Sequence, residues 1–113
     1  MVLVLREELR LTPGKAAVQV AHAAVMLVRR AEERDPTRLR AWLDQGQKKI
    51  ALVAPSLSDL EQLEREARAK GIPTVWVEDA GLTEVPPGTR TCLGLGPVLA
   101  ETVDAVTGDL DLL

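Results

Sequence analysis

Three polar side chains interrupt an otherwise apolar segment near the start of this sequence. Lys15, Gln19 and His22 follow one another at i, i+4 and i+7, with alanine and valine between them. At 100° per residue they fall within an arc of about 60° on a helix. An amine, an amide and an imidazole thus share one stripe. The imidazole is a candidate general base and the amine a candidate partner for developing negative charge. A second cluster is Asp79-Ala80-Gly81-Leu82-Thr83, directly after a run that reads as a strand, where α/β sheets place their sites. Asp79 adds a second candidate base, although Asp-Ala-Gly is also good turn chemistry. A third is Pro87-Gly88-Thr89-Arg90-Thr91; if the segment is extended, both threonine hydroxyls point the same way. A fourth, Gly46-Gln47-Lys48-Lys49-Ile50, places two ammonium groups at the mouth of a strand, where they could hold a phosphate.

Elements able to carry these residues can be read from periodicity. Val2–Leu5 is a short apolar run and a first strand. Thr12-Pro13 reads as a helix start, with Thr12 as cap and Pro13 in the first turn. The helix should run from Pro13 to about Glu33, where Asp35-Pro36 breaks it. A short helix follows over Thr37–Asp44 and a buried strand over Lys49–Ala54. Ser58-Asp59-Leu60-Glu61 reads as a capping box opening an amphipathic helix that ends at Gly71. Ile72–Val77 and Thr91–Leu95 are strands, and Val98–Val106 a last helix. This order predicts one α/β domain over residues 1–113. It is a three-layer α/β/α sandwich on a four-stranded mixed sheet, with one antiparallel strand because no helix separates the last two strands. Gly94 and Gly96 in the last strand suggest a close backbone approach there.

Composition excludes several functions. The chain has 113 residues and 46% hydrophobic content, enough for a core. Two tryptophans are its only aromatic residues, which argues against a base-stacking platform. One cysteine, Cys92, and one histidine cannot make an internal disulfide or a multi-histidine metal site. Neither GLGP nor LTPGK is a phosphate loop, since the lysine-serine/threonine ending or the upstream glycine is missing. Ser56 and Ser58 sit at a helix start, which leaves no serine nucleophile. No apolar run reaches the length of a membrane span, and MVLVLREE lacks the features of a signal peptide, so a cytoplasmic location is expected. The net charge of -3 hides an asymmetry. Residues 1–50 carry ten basic and six acidic side chains, residues 51–113 four and eleven. A basic face is compatible with that division.

The spacing of these blocks resembles a known family. Arg6, Leu9, Gly14, Lys15, Ala17, Gln19, His22 and Ala23 form one block, and Gly46, Gln47, Lys49 and Ile50 another. Asp79 through Thr91 supply D-A-G-x-T-x-x-x-P-G-T-x-T, and Gly96 through Leu113 end in V-T-G-x-L-x-L-L. Together, from Val2 to Leu113, they resemble the type-two peptidyl-tRNA hydrolases of archaea and eukaryotes. Glu8 stands where that family more often has Asp, and Leu11 where it has Met. The resemblance implies hydrolysis of the ester between a peptide and the terminal ribose of tRNA, with no metal or organic cofactor. It implies a site containing Lys15, Asp79 and Thr83. His22 is added from its place on the helix. Gln19, Thr89 and Thr91 are expected to position the substrate, and Lys48, Lys49 and Arg90 to hold the tRNA backbone. Family members often pair as homodimers. An alternative is a non-catalytic adaptor of the same fold, against which the intact set Lys15, His22, Asp79 and Thr83 counts. On sequence alone Lys15 looks like a first-turn lysine whose removal leaves stability unchanged or slightly higher.

Overall fold

The computed structural model of the chain describes residues 1–81 and 84–113. Its elements are β1 (Val2–Arg6), a 3-10 turn (Glu7–Leu9), α1 (Pro13–Arg34), α2 (Pro36–Asp44), β2 (Ile50–Ala54), α3 (Leu57–Ala69), β3 (Thr74–Glu78), β4 (Arg90–Leu95), α4 (Ala100–Thr107) and β5 (Asp111–Leu112). The strands lie in the order β3-β4-β1-β2-β5. β1 and β2 are parallel, and β4 runs antiparallel to both of its neighbours, β1 and β3. It follows that β1, β2 and β3 all point the same way, and their C-terminal ends share one edge of the molecule.

The sheet has five strands, not the four expected. β5 is two exposed residues, Asp111 and Leu112, laid antiparallel on β2. So short a strand carries no alternation of its own, and pairing alone defines it. The capping box also lies two residues earlier than expected. Ser56 is the cap, its hydroxyl accepts from the Asp59 amide, and the Asp59 carboxylate accepts from the Ser56 amide. Ser56-x-x-Asp59 and Ser58-x-x-Glu61 have the same pattern, and the first has the extended cap residue that starts the helix.

Two cores hold the layers together. α1 and α2 cover one face, where Ala23 and Leu27 pack with Leu3, Leu5, Val77 and Cys92. α3 and α4 cover the other, where Leu60, Leu63 and Val103 pack with Val2, Val4, Leu93 and Leu95. α1 sits close to the sheet because its buried side chains are mostly small. A Cβ on Gly94 would lie 2.9 Å from Cδ1 of Leu27 and from Cγ2 of Val75. The close approach anticipated at Gly94 is therefore core packing with α1. Truncating Leu27, fully buried, would cost about 2–5 kcal/mol.

One irregularity shapes the site. Val77 pairs with Cys92 but Glu78 pairs with Arg90, so Thr91 is an extra residue in β4, a β-bulge. No helix among the described residues is long and apolar enough to cross a membrane.

Candidate active site

α1 starts at Pro13, whose fixed φ suits a first turn. Thr12 occupies the cap position, but its hydroxyl does not bond the helix. It donates instead to Glu84 at 2.6 Å, and the Thr12 amide donates to the same carboxylate at 2.9 Å. Glu84 thus ties the loop after β3 to the start of α1. Those two bonds hold its carboxyl below the usual carboxylate range. Neither periodicity nor motif singled Glu84 out, because its partner lies 72 positions away.

One turn into the helix, Nζ of Lys15 donates to Oδ1 of Asp79 at 2.6 Å. Asp79 is buried, and its other oxygen accepts the Gly81 amide at 3.0 Å. The Lys15 bond and then the Gly81 bond hold the Asp79 carboxyl below its ordinary range, with the charges of Lys15 and His22 adding to them. The loop itself is closed by backbone pairs: the Asp79 amide to the Thr89 carbonyl, and the Gly88 amide to the Asp79 carbonyl. Gly81 has φ +78, and a Cβ there would lie 2.4 Å from the Pro87 nitrogen, so only glycine fits.

The polar stripe on α1 divides on folding. Lys15 is half-buried against Asp79, and His22 is exposed. Gln19 is buried between them, and its Oε1 accepts from Thr91 Oγ1, which is also fully buried. Neither side chain reaches solvent, so any effect of Gln19 and Thr91 on the substrate passes through the bond between them. Thr89 is half-buried and its hydroxyl donates to the Pro86 carbonyl at 2.7 Å. Arg90 lies over the Trp76 ring, 4.6 Å from its centroid, with Nε 3.8 Å from Glu78. Thr83 lies outside the described residues.

Lys48 and Lys49 are not brought to this cluster. They precede β2, and the strands run parallel, so both stand at the opposite end of the sheet from Asp79. There Lys49 sits over Trp42, 5.2 Å from the ring centroid, and donates to the Gln47 carbonyl. Besides Lys15, Arg6, Arg10 and Arg90 stand at the site end. Arg6 donates to the Arg90 carbonyl at 3.3 Å, joining β1 to β4. Arg6 and Arg10 edge an apolar cleft of about 550 Å³ that also touches Pro13, Ala16 and Leu112. Arg6 belongs to the first motif block, so its spacing signalled it; Arg10 carried no signal.

Cys92 is buried, and burial pushes its thiol up to about 12, which leaves it inert as a nucleophile. The set at the C-terminal end of the sheet is therefore a charged amine, a buried carboxylate that orients it, and an accessible imidazole. This set can polarise a carbonyl and take a proton from water.

The chain as a whole is similar to proteins of a known family. The profile of the family described as peptidyl-tRNA hydrolase PTH2 matches residues 1–113. A peptidyl-tRNA hydrolase of Thermococcus onnurineus is 47% identical over 112 residues, covering 99% of this chain and 95% of its own. One from Methanopyrus kandleri is 47% identical over 112 residues, covering 99% and 96%. A third, from Metallosphaera sedula, is 45% identical over 115 residues, covering 100% and 98%. With the family profile spanning every residue that builds the site, the chain belongs to the peptidyl-tRNA hydrolase PTH2 family.

Proposed function

We propose that this chain hydrolyses the ester joining a peptide, or an N-blocked aminoacyl group, to the 3′-terminal ribose of tRNA, and that Lys15, Asp79 and His22 carry the reaction. The observation that supports it most is the Lys15–Asp79 ion pair at the start of α1. The ammonium stands where the helix dipole also favours negative charge. In the proposed reaction a water oxygen bonds to the ester carbonyl carbon while its proton passes to His22. The carbonyl oxygen, now anionic, rests against Lys15 Nζ and the free amides of the first helical turn. The C–O bond to ribose then breaks, and the ribose oxygen takes the proton back from His22. Free tRNA and a peptide acid result.

Asp79 is the orienter in this scheme. Both of its oxygens already accept hydrogen bonds and its affinity for protons is depressed, which makes it the weaker base. The Gln19–Thr91 pair positions α1 against β4 and so sets the height of Lys15. Thr83 joins the site by its place in the motif, and Thr89 shapes the loop that holds Asp79. Arg90 and Arg10 meet the tRNA backbone near the site, and Lys48 and Lys49 meet it at the far end of the sheet. No metal takes part in this scheme, and a substrate of translation fits a protein that works in the cytoplasm.

Purified chain should release tRNA from N-acetyl-aminoacyl-tRNA at the same rate with and without EDTA. No release would reject the function. Release that stops in chelator and returns with added metal would transfer the role given to Lys15 to that metal.

A further inference from the structure

β3 is an edge strand, and its outer side is open beside Asp79. The Gly96 amide donates to the Pro73 carbonyl, and the Thr91 hydroxyl reaches the Val77 carbonyl at 3.5 Å. Odd-numbered residues therefore turn their backbone toward β4. Even-numbered residues turn theirs outward, as the Thr74 carbonyl shows by accepting Arg30 Nη1 at 3.0 Å. The outward amides and carbonyls of Trp76 and Glu78 have no hydrogen-bond partner among the described residues. A groove of about 530 Å³ runs along this edge between β3 and α1, lined by His22, Val25, Met26, Arg29, Trp76 and Glu78. Its floor on α1 is largely apolar, with Val25 59% exposed and Met26 38%. At one end it meets His22 and the residue before Asp79.

We propose that this edge binds the peptide part of the substrate as an added β-strand, parallel to β3. The inference rests on the reading that the substrate is a peptidyl ester. Its direction follows from the ester, which lies at the peptide's C-terminus and must reach Lys15 and His22 at the C-terminal end of β3. The peptide then runs back toward Thr74, which makes the added strand parallel. In that register alternate peptide N–H groups donate to the carbonyls of Trp76 and Glu78, and alternate peptide carbonyls accept from their amides. With the Thr74 carbonyl taken by Arg30, the free stretch from Val75 to Glu78 spans roughly 10 Å, room for about three residues. Main-chain bonds are blind to side chains, so such a groove accepts any peptide sequence, as an enzyme acting on arbitrary interrupted chains requires.

Substrates modified on the backbone test this with the unaltered protein. N-acetyl-aminoacyl-tRNA, tetrapeptidyl-tRNA and a set of tetrapeptidyl-tRNAs with one N-methylated amide each would be compared by kcat/KM. We expect the tetrapeptide to exceed the acetyl-aminoacyl substrate by about tenfold, the effect of one or two net hydrogen bonds. Methylation should erase that gain at every second amide and leave it at the amides between. Equal rates at all lengths, or losses without a two-residue period, would overturn the added strand and leave the hydrolase reading intact; β3 would then be only a short edge guarded by the charge of Glu78. Failure to hydrolyse even the acetyl-aminoacyl substrate would end both.

Discussion

Lys15 Nζ lies 2.6 Å from Asp79 Oδ1, joining the first turn of α1 to the end of β3 across 64 positions of sequence. The contact makes each residue a structural partner of the other as well as a candidate for chemistry. Lys15→Met keeps the side-chain length and strands a buried carboxylate, so it should lower the melting temperature. This reverses the expectation for a free first-turn lysine. The same variant should lose on the order of a hundredfold in kcat, the usual cost of one oxyanion-stabilising donor. Single-turnover hydrolysis with a parallel thermal scan checks both, and wild-type turnover in a folded Lys15→Met protein would remove Lys15 from the mechanism.

Asp79→Asn keeps the shape of the loop and the bond from the Gly81 amide, but it no longer fixes the ammonium. Its kcat should fall by about a hundredfold or more while circular dichroism stays unchanged. If Asp79 only shapes a turn, hydrolysis will proceed at the normal rate.

Glu84 and Asp79 predict how stability responds to acid. Both carboxyls are held below their ordinary values in the folded chain, Glu84 by Thr12 and Asp79 by Lys15. In each case the unfolded chain binds protons first as pH falls. The stabilisation is therefore complete above the unfolded values, about 4, and is lost as pH drops through the folded ones. Urea midpoints should show Glu84→Gln less stable than the parent at pH 7, with the gap narrowing as the pH falls below about 4. A gap that does not change with pH would mean that the Glu84–Thr12 contact does not depend on charge.

Gln19 and Thr91 form a buried pair, and removing half of it leaves the other unsatisfied. Thr91→Val alone should cost about 1–3 kcal/mol, whereas Gln19→Leu with Thr91→Val should cost less than the sum of the two single changes. Denaturant titration of the four proteins measures the coupling. Additive losses would show that the two side chains do not depend on each other.

Binding of tRNA should weaken with salt in spite of the acidic net charge. Arg90→Ala should raise KM several-fold more than Lys49→Ala, since only Arg90 stands at the site end of the sheet. Equal effects from the two would mean that the tRNA footprint extends along the whole molecule.

Much of this arrangement was legible in the sequence, and the gaps have physical causes. Four strands and four helices announce themselves through apolar runs, caps and breakers, with boundaries off by a residue or two. β5 does not, because two exposed residues have no inward face to pattern. Lys15 and Asp79 were recognisable by residue type and position, yet their contact depends on the distance between two elements that periodicity cannot measure. Lys48 and Lys49 stand apart from the cluster for a topological reason. Standing at the mouth of a strand says nothing of which mouth, and only the parallel order of β2 and β3 sends the lysines away from Asp79. Gln19 looked like one member of a polar stripe shared with Lys15 and His22, because the bulge that places Thr91 beneath it leaves no mark in composition.

That bulge also governs which kinds of change the gene for this chain can accept. Thr91 and Cys92 are consecutive, yet both face α1, Thr91 toward Gln19 and Cys92 into the core. The strand changes parity between them: even positions face the helix from Cys92 onward, and the odd position Thr91 faces it before. Deleting one residue at this junction would restore a regular count. With Cys92 held in place, the residue before it would turn to the α3 side and Gln19 would face no hydroxyl. Substitutions here alter one side chain, but a change of length shifts the frame of everything between Asp79 and the core.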